Sequence, residues 1–252
     1  RRQRQMCIRD SGEGDGGEGE GDGGEGEGAV AAKAAASSGS GEEISASATD
    51  LSSTEPAGLA ALRRATWTQT VKPQMLCDEL QGRLLASMSH MIAPTRVLEL
   101  GTFTGYATAC WAEGLALEGT VDTVDVNDEL HAIQDEHWAK LGIADCIRRH
   151  TGKAMDILDS GVLFDADPRP LDVVFVDADK EHQQTYVDWA IAHVRDGGWI
   201  VVDNVLWWGE VLRVQDGTSE DPYAARIHEL NAHMKGHPDL DNVLLPLRDG
   251  LH

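Results

Sequence analysis

The chain has 252 residues, a mass of 27.2 kDa and a formal net charge of −22, with 41% hydrophobic, 25% charged and 5% aromatic residues. This composition is typical of a globular protein with one or two domains. The acidity disfavours nucleic acids and anionic membranes as partners, because both require clustered Lys and Arg. We therefore expect neither a nucleic acid nor a membrane as a partner. No apolar segment approaches the roughly 20 residues that a helix needs to cross a bilayer, so no membrane-spanning helix is expected either.

The N-terminal part differs in composition from the rest. Residues 11–28 consist of Gly, acidic residues and one Ser, and offer no apolar side chain to bury. Residues 29–53 are rich in Ala, Ser and Gly, and Pro56 and Gly58 precede the first amphipathic segment. The sequence predicts a disordered acidic tail over residues 1–56 and one folded domain over residues 57–252.

Four cysteines, at positions 7, 77, 110 and 146, show neither a CxxC pair nor the spacing of a metal site. Their even number therefore does not indicate a disulfide framework. We expect a cytoplasmic location, and the arginines within the first nine residues leave an organellar one open.

Helical and strand-like segments alternate along the folded domain. Helices are predicted over residues 59–66, 76–92, 106–117, 129–141, 154–159, 183–194 and 221–235, and strands over residues 96–100, 120–126, 145–150, 172–176, 199–202 and 242–247. Five successive βα units predict an α/β fold with a doubly wound, mostly parallel sheet and helices on both faces. Ligands of such sheets bind beyond the carboxyl ends of the strands.

The turn after the first predicted strand is rich in glycine. Gly101 and Gly105 permit close approach of backbone to a ligand, and the helix that begins at Tyr106 offers free N–H groups. Asp125 closes the second strand, where an acidic residue reaches the ribose hydroxyls of a bound nucleoside. By themselves, the turn fits an ordinary tight connection equally well, and Asp125 fits a helix N-cap.

Oxygen-bearing side chains follow two later strands. Asp177 comes directly after the apolar residues 173–176, and Asp203 and Asn204 follow residues 200–202. If the two strands are neighbours, these side chains converge as hard oxygen donors, which suit a magnesium-like cation. Single Asp and Asn residues at strand ends more often only form turns.

Five segments in order resemble the cation-dependent O-methyltransferases that use S-adenosylmethionine (SAM), the group that contains catechol and caffeoyl-CoA O-methyltransferases. The resemblance extends over roughly residues 59–251 and rests on the runs VLELGTFTGYATA, VDTVDVN, HTGKAM, VVFVDADKEH and GGWIVVDNVLWWGEV. It implies a Rossmann-like class I methyltransferase fold.

The resemblance also implies how the cofactor is held. Glu99 would support the glycine-rich loop, Asp125 would hold the ribose hydroxyls, and the backbone of Ala154 would meet the adenine ring. Met75 resembles a family Met near the methyl donor. The implied cofactor site consists of Met75, Glu99, Gly101, Thr102, Gly105, Tyr106, Asp125, Ala154 and Asp177.

The same resemblance implies the reaction. Asp177, Asp203 and Asn204 fall on the family's metal ligands, Lys180 on its general base, and Trp207 on an aromatic wall for the substrate ring. The expected activity is methyl transfer from SAM to a phenolic, catechol-type hydroxyl that is coordinated to a divalent cation. Mg²⁺ is the first candidate for this cation. The expected partner is a small phenolic molecule, and a homodimer is left open.

Three alternatives stay open on the sequence. The acceptor could be a caffeoyl-CoA-type thioester, although residues 215–222 are acidic and polar where such enzymes place basic side chains. A catalytically silent SAM-binding protein would retain the same motifs. A nicotinamide-dependent dehydrogenase would share the glycine turn and Asp125, but the chain lacks GxGxxG and such an enzyme has no use for the oxygen cluster.

The chain departs from the family pattern at three places. Cys77 replaces a common Ser or Thr, and Ala107 replaces a Ser, so one or two cofactor hydrogen bonds are expected to be missing. The family continues past LLPLRDGL into one more strand, which would pair with residues 242–247. The last strand is therefore expected to be truncated, with an open sheet edge.

Overall fold

The computed structural model describes residues 41–252, which fold around a five-stranded parallel sheet. Its strands have the order β3-β2-β1-β4-β5, with all neighbouring pairs parallel. The order reverses between β1 and β4, so a crevice opens where these two strands end. The strands are β1 (Arg96–Leu100), β2 (Thr120–Asp125), β3 (Ile147–Thr151), β4 (Leu171–Val176) and β5 (Val194–Val202).

Helices connect the strands and cover the sheet. They are α1 (Gly41–Asp50), α2 (Ala57–Gln69), α3 (Glu79–Ile92), α4 (Tyr106–Ala112), α5 (His131–Leu141), α6 (Ala154–Ser160), α7 (Val162–Ala166), α8 (Gln183–His193), α9 (Glu210–Gln215) and α10 (Pro222–Gly236). Short 3₁₀ turns occupy Pro73–Met75, Ala144–Cys146 and Trp207–Gly209.

Alternate residues of the strands face two separate cores. On one face, strand residues such as Leu98 and Val174 pack with apolar side chains of α6, α7, α8 and α10. On the other face, Val97 and Phe175 pack with side chains of α2, α3, α4 and α5. Successive strand residues point to opposite faces, so strands buried on both sides read as continuous apolar runs. The predicted α/β fold with a doubly wound parallel sheet is confirmed.

The first strand is held at its amino end by a buried ion pair. The Nε atom of Arg96 lies 3.0 Å from Oδ2 of Asp122, and neither side chain is exposed. Arg96 also donates to the carbonyl oxygens of Leu163 and Arg169, at 2.6 and 2.7 Å. Because every charge here has a partner, the network holds β1 and β2 together at the end of the sheet opposite the crevice.

The predicted sixth strand, over residues 242–247, is wrong. In the described part of the chain this segment forms only isolated antiparallel bridges, Leu245 with Leu251 and Leu251 with Asp203. Pro246 lacks an N–H for a ladder, and a tight turn with a hydrogen bond from Gly250 N to Leu247 O folds Leu251 back onto Leu245. Leu251 and His252 therefore lie antiparallel beside the end of β5.

Folded structure begins before the predicted boundary at residue 57. The helix α1 and the buried residue Glu55 both lie on its N-terminal side. The carboxylate of Glu55 accepts hydrogen bonds from Tyr106 Oη at 2.6 Å and from Arg63 Nε at 2.8 Å, which ties this segment to α2 and α4. Residues 1–40 of the predicted tail lie outside the described residues.

The described cysteines, Cys77, Cys110 and Cys146, are free thiols. Among residues 41–252, no helix combines the length and the apolar character that spanning a bilayer requires.

Candidate active site at the carboxyl ends of the strands

The loop after β1 packs directly against the backbone that follows β4. Gly101 has φ +101°, and a Cβ atom there would lie 2.1 Å from the carbonyl oxygen of Asp177. The N–H of Asp177 donates to Leu100 O at 2.8 Å, which continues the β1–β4 ladder up to this point. Only glycine allows so close an approach, so it brings the glycine-rich loop (residues 101–105) and Asp177 together in the crevice.

Asp125 shapes the glycine-rich loop. Its Oδ2 atom accepts the backbone N–H groups of Thr102 and Phe103, at 3.0 and 2.8 Å, and its Oδ1 atom accepts that of Asn127 at 2.9 Å. A carboxylate offers about four acceptor positions, so three are used here and about one is left for a ligand. Asp125 therefore stabilises the glycine-rich loop, a role that the sequence did not indicate.

Glu99 lies buried under the same loop. Its Oε2 atom accepts hydrogen bonds from the hydroxyls of Thr108 and Thr123, the latter at 2.6 Å, and Thr123 in turn shares a 2.6 Å hydrogen bond with Thr102. Its Oε1 atom is buried without a partner in the described part of the chain. Burial raises the pKa of Glu99 to about 8, although the two threonine hydroxyls oppose the shift. Glu99 therefore supports the loop from below through a chain of hydroxyl groups.

Two carboxylates meet where β4 and β5 end side by side. Val176 pairs with Val202 in the parallel register, so Asp177 and Asp203 are the next residues of adjacent strands. The Oδ2 atom of Asp203 accepts from Gln81 Nε2 at 2.8 Å, and its Oδ1 atom accepts from the backbone N–H of Asn204 at 2.7 Å. Burial, and then the negative charge of Asp203, raise the pKa of Asp177 well above its ordinary value. The pair therefore forms a site that favours positive charge.

Lys180 is the cation that the chain itself places beside this pair. Its Nζ atom lies 3.3 Å from Oδ1 of Asp177, and only 12% of its side chain is exposed. The intervening Asp179 instead accepts from Tyr186 Oη at 2.5 Å and from His182 Nδ1 at 2.7 Å, so its carboxylate is engaged with α8. These hydrogen bonds outweigh the effect of burial and lower the pKa of Asp179.

Asn204 and Trp207 follow Asp203 in an unusual backbone. Both have positive φ, +62° and +46°, which non-glycine residues rarely adopt. The Nε1 atom of Trp207 donates to Asp221 Oδ2 at 3.1 Å, and its ring lies 5.9 Å from that of Tyr223. Trp207 is therefore fixed against the beginning of α10.

The other residues of the predicted cofactor site differ in how deeply they are buried and in what they contact. Ala154 begins α6 and packs in the core, and Met75, in the Pro73–Met75 turn, is 57% exposed. The side chain of Tyr106 is buried in the core, where its hydroxyl donates to Glu55. Gly105, with φ +81°, lies against the indole of Trp138, whose Nε1 donates to the Gly105 carbonyl at 3.1 Å.

Three polar residues of the site were not singled out from the sequence. Gln81 donates to the carboxylate of Asp203, and Gln183 Nε2 donates to the backbone carbonyl of Asp203 at 2.9 Å. Asp249 accepts the backbone N–H of Trp208. In the sequence they are ordinary polar residues of a helical or turn segment, and nothing in that pattern indicates which residue they contact.

The oxygen donors that β4 and β5 bring together are the carboxylates of Asp177 and Asp203, and Asn204 follows Asp203 directly. No cluster of three or more His, Cys, Asp or Glu side chains in a metal-binding arrangement occurs within residues 41–252. Carboxylate and amide oxygens are nonetheless the donor types of a Mg²⁺ that keeps several water or substrate ligands. The negative charges of Asp177 and Asp203 repel each other, and a cation bound between them would reduce this repulsion.

Several known proteins are similar to this chain in sequence. The sequence profile of a family described as O-methyltransferase matches residues 49–252. The chain is 33% identical over 187 residues to a catechol O-methyltransferase of Mycobacterium tuberculosis, covering 74% of this chain and 80% of that protein. It is 32% identical over 174 residues to caffeoyl-CoA O-methyltransferase 1 of Eucalyptus globulus, covering 68% of this chain and 70% of that protein.

A solved structure has the same fold. The O-methyltransferase of Bacillus cereus in complex with S-adenosylhomocysteine (SAH) superimposes with a TM-score of 0.73 at 26% identity. The superposition covers 83% of this chain and 94% of that one. SAH is what remains of SAM after methyl transfer. The Rossmann-like fold is therefore shared with a protein that was solved with the product of SAM bound.

Proposed function

The chain belongs to the O-methyltransferase family, with SAM as the methyl donor, and we propose which acceptor it methylates. The proposed acceptor is a catechol-type phenol bound beside a divalent cation, for which Mg²⁺ is the first candidate. The observation that carries this proposal is the carboxylate pair Asp177 and Asp203 with Lys180 beside it, at the strand ends next to the glycine-rich loop. This arrangement offers positions for a cation, a proton acceptor and a cofactor within one crevice.

The residues of the crevice fit SAM. Its sulfonium is positively charged, and Asp177, Asp203 and Asp125 contribute negative charge where the strands end. The absence of a side chain at Gly101 lets the loop backbone approach a ligand closely. We propose that Asp125 holds the ribose by accepting one hydroxyl at its remaining acceptor position and that the backbone of Ala154 lies beside the adenine.

The donor set also fits a divalent cation. Asp177, Asp203 and Asn204 would hold it, and Gln81 fixes the Asp203 carboxylate from behind. Such a cation, when bound, favours the ionised form of a phenol, whose pKa in water is about 10.

The protein's own groups then act on the acceptor. Lys180 Nζ, in its neutral form, accepts the phenolic proton and becomes an ammonium. Its contact with Asp177 Oδ1 at 3.3 Å orients the side chain toward the crevice. Trp207, fixed by Asp221, forms a wall against the aromatic ring. Holding the oxygen in line with the methyl group replaces a bimolecular encounter by a positioned transfer.

The charge near the acceptor side favours a free catechol over a CoA thioester. A CoA ester carries phosphates, which Arg and Lys side chains bind. Arg213, at the end of α9, is engaged by Glu210 at 2.9 Å, and the following residues 215–222 contain only acidic charges. The names of the relatives support both acceptors, so the thioester is the second candidate.

The deciding experiment measures methyl transfer from labelled SAM to catechol and to caffeoyl-CoA, with and without EDTA. We expect transfer to catechol that EDTA abolishes and Mg²⁺ restores. Lys180→Ala and Asp203→Ala should each lower kcat by about 100-fold, within the usual range for a general base. Lys235→Ala and Asp239→Ala, which alter exposed side chains, are the matched controls.

The alternatives give different results. Transfer that is indifferent to EDTA would contradict the cation, and a strong preference for the thioester would contradict the catechol acceptor. Binding of SAH without any transfer would indicate a silent SAM-binding protein.

A further inference from the structure

Asp249 binds the turn formed by Trp207 and Trp208 (the tryptophan turn) through both its side chain and its backbone. Its Oδ1 atom accepts the N–H of Trp208, and its carbonyl oxygen accepts the N–H of Leu206 at 2.8 Å. Only 2% of Asp249 is exposed. One buried residue thus holds the turn from two sides.

The tryptophan turn needs such contacts because its backbone is strained. Trp207 and Trp208 have φ values of +46° and +55°, and Asn204, just before the turn, has +62°. Such a conformation is unfavourable for a non-glycine residue and persists only where the surroundings enforce it. The Trp208 side chain is 76% exposed, so its own packing does not provide that enforcement.

Stability alone does not explain a carboxylate at position 249. The Oδ2 atom of Asp249 is buried without a hydrogen-bond partner in the described part of the chain. Burial, and the nearby charge of Asp203, raise the pKa of Asp249. A buried, half-satisfied carboxyl group is destabilising, so its presence indicates a role in placing the turn.

The neighbours of Asp249 contact two further segments of the chain. Arg248 Nη2 donates to the carbonyl of Gln74 at 2.8 Å, in the Pro73–Met75 turn. Gly250, with φ +89°, lies so close that a Cβ atom would be 2.6 Å from Leu206 Cγ. Residues 248–250 therefore join the turn that contains Met75 to the tryptophan turn.

We propose that Asp249 is a positioning residue for methyl transfer: by holding the Trp208 amide, it keeps Trp207 and Asn204 in the arrangement that receives the acceptor. This inference rests on the proposed function, since it assigns the tryptophan turn to the acceptor side. Asp249 does not itself touch the reacting atoms.

The test compares Asp249→Ala with Asp249→Asn. The asparagine side chain retains a carbonyl oxygen that can accept the Trp208 N–H, whereas alanine cannot. Asp241→Ala, which removes an exposed carboxylate from the same C-terminal segment, is the matched control. Two readouts are used: hydrogen exchange of the peptide over residues 204–210, followed by mass spectrometry, and steady-state kinetics with catechol.

In Asp249→Ala we expect exchange of this peptide to accelerate about tenfold and KM for catechol to rise about tenfold, the size of one lost hydrogen bond. The affinity for SAH should stay within about twofold, because no hydrogen bond joins the tryptophan turn to the glycine-rich loop within residues 41–252. Asp249→Asn should resemble the wild type in both readouts.

Several results would overturn the inference. Unchanged exchange in Asp249→Ala would mean that the carboxylate does not hold the turn, and faster exchange with an unchanged KM would mean that the turn does not serve the acceptor. If Asp249→Ala does not fold, a large rise in KM for Asp249→Asn would exclude the hydrogen bond as the cause. A wild-type enzyme that methylates no phenol would refute the proposed function, while the exchange comparison would still decide what Asp249 holds.

Discussion

Gln81, in the first turn of α3, donates a hydrogen bond from its Nε2 atom to Oδ2 of Asp203 at the end of β5, over 2.8 Å. Both side chains are buried, and 122 residues separate them in the chain. Gln81 Oε1 has no hydrogen-bond partner within residues 41–252, so the contact of this side chain with Asp203 is made by Nε2 alone. Asp203 thereby keeps a fixed orientation toward Asp177.

We predict that Gln81→Ala weakens binding of the proposed cation at Asp203. Without the amide, Asp203 Oδ2 loses a charge-assisted hydrogen bond worth about 1.5–3 kcal/mol, and its carboxylate is free to turn. The Mg²⁺ concentration needed for half-maximal methyl transfer should rise about tenfold or more. Gln69→Ala, at the exposed end of α2, is the control and should change nothing. An unchanged Mg²⁺ requirement would show that Gln81 does not orient Asp203.

Gly101→Ala should damage both folding and cofactor binding. Besides the unfavourable φ of +101°, the added methyl group would collide with the Asp177 carbonyl, so the glycine-rich loop would have to move. Gly142 offers a matched control, because its φ is +70° and a Cβ atom added there would have no other atom within 4 Å. Gly142→Ala should cost only about 1–2 kcal/mol of the free energy of unfolding, from backbone strain alone.

Urea unfolding and calorimetric titration with SAH separate the two effects. Gly101→Ala should be the less stable variant and should lose SAH affinity, whereas Gly142→Ala should bind SAH as the wild type does. Equal behaviour of the two variants would contradict the close approach of the loop to Asp177.

The stability of the protein should fall with rising pH because of Glu99. Burial raises the pKa of Glu99 to about 8 from the ordinary value of 4.5. Between these two pH values the folded state retains a proton that the unfolded chain has released, so the free energy of unfolding decreases from about pH 4.5 to about pH 8. Above that range, the contribution of Glu99 is constant.

Glu99→Gln should remove this slope, since the amide has nearly the same shape and does not ionise. Urea unfolding at several pH values between about 5 and 9 measures it, with the exposed Glu129→Gln as control. A wild type and a Glu99→Gln variant with parallel pH profiles would show that Glu99 ionises normally in the folded protein.

The positions of Asp177 and Asp203 could be predicted from the sequence because they depend on local signals. Apolar β-branched runs define buried strands, and polar residues directly after such runs lie at the carboxyl edge of a parallel sheet. The expectation for residues 242–247 failed for a related reason. The apolar run suggested a strand, but strand formation depends on a partner, and Pro246 with the turn at Gly250 limits pairing to single bridges.

The partners of the site residues could not be predicted in the same way. Tyr106 was predicted to lie at the cofactor, and the hydrogen bond of its hydroxyl to Glu55, 51 residues earlier, could not be predicted. Asp125 was predicted to hold a ribose, which stays a prediction, and its hydrogen bonds to the backbone of Thr102 and Phe103 could not be predicted. Neither hydrogen bond leaves a periodic trace in the sequence.

The amino-acid sequence by itself predicted the five strands of the sheet in chain order and the edge of the sheet where the site lies, because apolar runs, glycine turns and strand-terminal carboxylates act over a few neighbouring residues. Its motifs also carried the resemblance to the family. Only the tertiary structure decided that Gln81 orients Asp203 and that Asp249 holds Trp208, which lie 122 and 41 residues apart in sequence. Such hydrogen bonds form between groups that meet after the chain has packed, so their geometry depends on the whole fold and not on any one segment.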